Sequence, residues 1–323
     1  MKKIISYILI ITTMLLISGC NSDEDSTNFS FKKPDYIADT SKIVFIGNSQ
    51  ISYNNSPDEF LSIAEDNGKN VTVESLTIDG SGLKQHCEAI RANDEGQQEL
   101  LKQADVVVFH DYWLDCQSQE QINEIKSYCK KDVKMYFYLT HYNSGIYADV
   151  WKYSSKDWKA NMKMNGEELA KKSPYDAWKR YINDKATDDD IELLSKNIFY
   201  SPYEAYKNMD LSYVPEGFTF DRLIFNYDMC LEDLIVSTDY IHPSSLMAYI
   251  DGLVIYRTLF GKVKADSGVI NVYCEGNKEK TKKVTSIVDK AVEESYNEFF
   301  EGTAKVLKFK SENKYVGLKE LFG

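Results

Sequence analysis

The chain is short of histidine, of basic charge and of paired cysteines, and each shortage narrows what it can do. Four histidines occur in 323 residues, so a reaction that needs an imidazole base has few places to find one. Basic residues number 38 against 50 acidic ones, a formal net charge of −12. Such a chain has no electrostatic means of holding nucleic acid and would not dock on anionic lipid by charge. Six cysteines are present, none spaced as Cys-x-x-Cys, so neither a structural zinc site nor a thiol redox motif is expected. No metal and no cofactor is expected. The apolar run from about residue 4 to 17 is too short to span a bilayer. Internal repeats are absent.

What is present begins with that run. Lys2 and Lys3 precede it, and small residues lead from it to Cys20, the layout of a secretory signal. Ile17-Ser18-Gly19-Cys20 resembles the bacterial lipobox. The resemblance implies cleavage before Cys20 and diacylglycerol on its thiol, which would tether the mature protein to a membrane. The alternative is a plain signal peptide with a chance cysteine. Cleavage takes 19 residues from 323, leaving 304, and the loss of Lys2 and Lys3 moves the charge from −12 to −14. That length suits one large α/β domain, with or without insertions. Residues 20–40 are polar and open with "SDED". They read as a flexible tether, acidic either for solubility or as a signal for the outer surface. Beyond Cys20, the cysteines Cys87, Cys116, Cys129, Cys230 and Cys274 are odd in number. Cys116 with Cys129 is the most local pairing, and buried free thiols are the alternative.

From residue 42 the pattern alternates. Ile43-Val44-Phe45-Ile46 runs into Gly47, as a strand buried on both faces does. In "SPDEFLSIAEDNG", Ser56 and Glu59 are placed for a capping box, with Pro57 at the first helical position and Gly68 as the stop. "VTVESLT" (71–77), "ADVVVFH" (104–110) and "VKMYFYLTH" (133–141) read as further strands. Helices are expected after Gly80 to about Asn93 and over 118–130. Such alternation predicts a parallel sheet covered on both faces. Its strands end on one edge, where ligands bind, and Ser49, His110 and His141 fall at or just past such ends. Residues 142–194 are rich in Lys and aromatics and read either as a helical excursion on that edge or as elongated crossover helices. "NIFYSP" (197–202) is expected as the last strand and "YVPEGFTFDRLIFNYDMC" as irregular. Pro243 is expected to open a helix with an apolar face of Leu246, Tyr249, Ile250, Leu253 and Val254, ended by Gly261. A last helix carries Val284, Ile287, Val288, Ala291, Val292, Tyr296 and Phe299 on one face.

A serine nucleophile needs a base to take its proton and a partner to fix the base's tautomer. Asp239 and His242, in "DYIHP", are spaced to supply the last two roles from one loop. His86 reads as structural. His141 either lines a pocket or serves the fold. The aromatics Tyr112, Trp113, Tyr142, Trp151 and Trp158 either stack on sugar rings or fill core.

The buried first strand ending "IGNS", the glycine of "DGSGL" after the second strand and the late "DYIHP" before a helix together resemble the SGNH (GDSL-like) hydrolases over most of residues 42–261. The likeness is to a bacterial branch that carries Gly-Asn-Ser where other members carry Gly-Asp-Ser. The resemblance implies a three-layer α/β/α, flavodoxin-like fold with a central parallel sheet over residues 41–323. It matches Ser49 to the nucleophile, His242 to the general base and Asp239 to the residue that orients it. The backbone N–H groups of Ser49 and Gly80 match two oxyanion donors. The family's third donor, an asparagine after the third strand, is missing from "VVVFHDYW". His110 stands there, either as a substitute donor or as a ring that packs or bonds to Asp111. With export, the resemblance implies an esterase for O-acyl groups, acetyl above all, on glycans or small molecules at the bacterial cell envelope, periplasmic or outer-surface. The other implied class is a non-catalytic glycan-binding or scaffolding lipoprotein on the same fold.

Overall fold

A computed structural model describes residues 32–92, 96–111, 119–140, 185, 187, 209–227, 229, 231–236 and 242–301. Five parallel strands form one sheet: β1 (Lys42–Gly47), β2 (Thr72–Thr77), β3 (Val106–Phe109), β4 (Lys134–Tyr138) and β5 (Ser212–Val214). Their order is β2-β1-β3-β4-β5, the flavodoxin-like arrangement, in which the strand order reverses between β1 and β3. Register is continuous across that point, with Ile46 opposite Phe109. Residues 43–47 of β1 and all of β3 are buried, as continuous apolar runs predict. Strand β2 lies at the edge and is largely exposed.

Helices cover both faces. On one lie α3 (Leu83–Ala92), α4 (Gln97–Gln103) and α5 (Gln119–Tyr128), which contact one another. On the other, α2 (Ser56–Asp66) packs on α8 (Ser245–Phe260), and α8 in turn on α6 (Glu216–Tyr227) and α10 (Lys278–Glu301). The chain is thus a three-layer α/β/α fold. Of two one-turn helices, α1 (Ser49–Ser52) stands at the carboxyl-terminal end of β1 and α7 (Leu231–Leu234) packs on α8, and α9 (Ser267–Tyr273) packs on α10.

Several local expectations change. No capping box forms at α2. Its N-cap is Asn55, which makes no side-chain cap bond. Ser56 is fully buried, and its hydroxyl donates instead to Asp251 of α8 at 2.8 Å. A carboxylate at a helix start is favourable, and it satisfies a hydroxyl that burial would otherwise leave costly. The helix expected from Pro243 starts two residues later, with Ser244 as N-cap accepting from Met247 N–H at 3.1 Å. Pro243 forms an antiparallel bridge with Ile235. Helix α8 is buried all round from Leu246 to Leu259, so its apolar residues do not mark one face. Gly252 allows this crowding: a Cβ there would lie 2.8 Å from the Phe60 amide nitrogen of α2.

The stretch expected to be irregular contains the last two residues of β5 and all of α6. Its aromatic and β-branched run Phe218-Thr219-Phe220 has low helix propensity. Burial of Phe218, Phe220 and Leu223 compensates, as does the Arg222–Glu294 ion pair to α10 at 2.7 Å. Within the stretch expected as the tether, Pro34 and Ile37 are buried, and Ile37 N–H donates to Leu259 O of α8 at 2.9 Å. Cys87, Cys129 and Cys274 are free thiols. Burial pushes Cys87 up to about 12 and Cys129 up to about 11, which keeps both unreactive. The excursion at 142–194 apart from residues 185 and 187, the strand expected at 197–202, and Cys20, Cys116 and Cys230 lie outside the described residues. Among those described, no helix is long and apolar enough to cross a membrane.

Candidate active site

Ser49 follows β1 by two residues and is itself the first residue of α1. Asn48 is the N-cap, its Oδ1 accepting from Gln50 N–H at 3.0 Å. The helix can turn so soon after the strand because Gly47 has no side chain. A Cβ there would meet Ile51 Cδ1 at 2.6 Å. Ser49 is half-buried at this turn.

The loop of the second strand is fastened to this turn. Asn48 Nδ2 donates to Ser81 O at 2.9 Å, and Ser52 Oγ donates to Asp79 at 3.1 Å. Ile78 N–H donates to Gly47 O at 3.0 Å. Between these ties Gly80 takes a φ of 68° with nothing within 4 Å of where a Cβ would stand. The glycine is needed for its backbone rather than for room. Asp111, fully buried, accepts from Leu83 N–H at 3.0 Å, which fixes the start of α3 and the far end of the Gly80 loop.

His242 arrives from the far end of the chain. Its carbonyl accepts from Val236 N–H at 2.9 Å, and Ser244 N–H donates to Leu234 O at 2.8 Å. The ring stacks on Tyr53, with centroids 4.4 Å apart and planes 14° from parallel. Tyr53 is the C-cap of α1, and its N–H donates to Ser49 O at 3.0 Å. The loops of Ser49, Gly80 and His242 therefore meet at the carboxyl edge, beside the reversal between β1 and β3. Asp239, the expected orienting carboxylate, and His141 lie outside the described residues, as do Tyr112, Trp113, Tyr142, Trp151 and Trp158.

His110 directly follows β3, with its N–H donating to Ile46 O at 2.8 Å. The side chain is fully buried, with Nδ1 3.4 Å from Tyr138 O. Its Cβ lies 3.4 Å from where a Gly47 Cβ would stand. The ring thus sits under the nucleophile turn, inside the sheet's end.

His86, expected to be structural, has a specific task. It is almost wholly buried, with Nε2 2.9 Å from Gly47 O. Burial lowers its pKa to about 4 despite that bond, so the neutral ring donates its Nε2–H to the carbonyl just before the nucleophile turn. Sequence reasoning missed Asn48, Tyr53 and Asn54 as parts of the site. Asn48 stands within the "IGNS" signature, but its cap and cross-loop bonds are set by folding. Among the described residues no group of three or more His, Cys, Asp or Glu is placed to hold a metal ion.

No family model matches the chain, and no curated protein matches it. Solved structures similar to it include three from different sources. A DUF4886 family protein from Bacteroides uniformis is 12% identical with a TM-score of 0.45, over 78% of this chain and 95% of that one. A candidate SGNH hydrolase from Slackia heliotrinireducens is 16% identical with a TM-score of 0.39, over 68% and 98%. A lipase from a goat rumen metagenome is 12% identical with a TM-score of 0.42, over 69% and 99%.

Proposed function

We propose that this protein is a serine esterase of the SGNH type. It hydrolyses O-acyl esters, O-acetyl above all, on glycans at the bacterial cell envelope, held to the membrane by lipid on Cys20. The observation that carries the reading is the Tyr53–His242 stack at 4.4 Å, which joins the histidine loop to the turn that begins with Ser49. A nucleophile needs a base close by, and this stack brings the loop of His242 to the turn of Ser49 although nearly two hundred residues separate them in the chain.

In the reaction Ser49 Oγ attacks the acyl carbonyl while His242 takes its proton. His242 then returns the proton to the departing alcohol oxygen, leaving an acyl-serine. Water attacks that ester, giving its proton to His242, and the carboxylic acid leaves as Ser49 is reprotonated. Asp239 holds the imidazole tautomer. On this reading the N–H groups of Ser49 and Gly80 donate to the developing oxyanion, where each donor is typically worth about 2.7–4 kcal/mol, and His110 takes the third position.

Ser49→Ala is expected to abolish turnover of a simple aryl acetate by the pure protein, and unchanged turnover would overturn the mechanism. One observation favours the second reading, a glycan-binding lipoprotein without efficient chemistry. The third-donor position holds a fully buried histidine in place of asparagine. An organophosphonate probe separates the two: covalent labelling at Ser49 supports the esterase, and none supports the binder.

A further inference from the structure

We infer that Tyr53 and Asn54 are positioning residues that set the distance and angle between Ser49 and His242. This rests on the esterase reading above. Asn54 has a φ of 55° and Asn55 a φ of 60°, two successive left-handed residues of which neither is glycine. Asparagine tolerates that region better than most side chains, but glycine would adopt it without strain. The contacts made by Asn54 explain its identity. Its Nδ2 donates to Pro243 O at 2.8 Å, and its Oδ1 accepts from Ser245 Oγ at 3.2 Å. Both ends of one carboxamide thus grip the two sides of the turn that follows His242.

Tyr53 adds a face-to-face contact with the imidazole. Its own backbone is fixed one turn from the nucleophile, through Tyr53 N–H to Ser49 O at 3.0 Å. The histidine is held from the other side as well: Val236 N–H reaches its carbonyl, Ser244 N–H reaches Leu234 O, and Ser244 Oγ donates to Asp233 O at 2.7 Å. Residues 233–236 therefore fix the backbone of His242 and Tyr53 fixes its ring. Asn54 locks the two loops together. Apart from the stack on the imidazole face, these contacts are made to backbone groups and to Ser245.

The test compares Tyr53→Ala, Tyr53→Phe and Asn54→Gly with the wild-type protein on an aryl acetate. Asn54→Gly keeps the left-handed backbone and removes both hydrogen bonds. Tyr53 is 38% exposed, so its truncation leaves the core intact. Misplacing reacting groups by about 1 Å costs about 10²-fold in rate. Tyr53→Ala and Asn54→Gly are therefore expected to lower kcat by about 10- to 100-fold with KM within about 3-fold. Tyr53→Phe, which keeps the stack, is expected to recover most of the loss. Wild-type turnover that depends on Ser49, together with kcat within about 2-fold in both Tyr53→Ala and Asn54→Gly, would overturn the positioning role alone. A wild-type protein with no Ser49-dependent turnover would overturn the esterase reading beneath it.

Discussion

The carboxamide of Asn48 ties the backbone of Ser81 to the turn that presents Ser49, donating at 2.9 Å to the Ser81 carbonyl. The same side chain accepts from Gln50 N–H at 3.0 Å. It is 2% exposed, so both bonds are made away from water. The nucleophile turn and the proposed oxyanion loop are thereby one unit.

Aspartate at this position would turn Gly47-Asn48-Ser49 into Gly-Asp-Ser. Here it would set a carboxylate oxygen against the Ser81 carbonyl with no hydrogen between them. Leaving such a buried partner unsatisfied costs about 1–3 kcal/mol. Asn48→Asp is expected to lose about that much stability by urea unfolding at pH 7, and to lose turnover through displacement of the Gly80 loop. A variant as stable and as active as wild type would show that the bridge is dispensable.

Burial of His86 makes stability pH-dependent in a defined window. Its pKa falls from 6.5 in the unfolded chain to about 4 in the folded one. Between those values the unfolded chain binds a proton that the folded chain refuses. The stability contribution is complete above pH 6.5, falls as the pH drops towards 4, and is constant below that. At pH 4.5 the loss attributable to this residue is about 2–3 kcal/mol. His86→Gln, with a non-titrating N–H donor, should show a correspondingly smaller loss between pH 7 and 4.5 in urea unfolding. Identical pH dependence in the two proteins would remove His86 from the explanation.

Gly80 holds a left-handed backbone, at φ 68°, between the ties that fasten its loop. An alanine there carries about 1–2 kcal/mol of strain, relieved by turning the N–H from the proposed oxyanion. Gly80→Ala should lower kcat by about 10²-fold while Ser49 still reacts with an organophosphonate. Gly80→Asn, better tolerated at positive φ, should lose less. Wild-type kcat in Gly80→Ala would exclude the oxyanion role.

How far the molecule could be read in advance depends on whether the signal was local. Strands β1 and β3 announce themselves because burial on both faces demands unbroken apolar runs, and Gly47 ends one of them. Ser49 and His242 stood out by position and rarity. Helix α6 did not, because Phe218-Thr219-Phe220 disfavours a helix until α10 packs against it. Ser56 looked like a cap and proved to be a buried partner of Asp251. His86 looked merely structural, since nothing near it in sequence names Gly47 as its acceptor.

By itself, then, the sequence determined the alternation of strands and helices, the parallel sheet that follows from it, and the chemical types at Ser49, Gly80 and His242. Those properties depend on hydrophobic period, on turn chemistry and on the few residues able to carry a proton at neutral pH. Only the tertiary structure decided that Asn48 bonds Ser81, that His86 bonds the Gly47 carbonyl, and that Tyr53 and Asn54 hold the histidine loop. Each of these contacts joins groups distant in the chain. Their distances are fixed by the packing of sheet and helices, and no local pattern of residues encodes them.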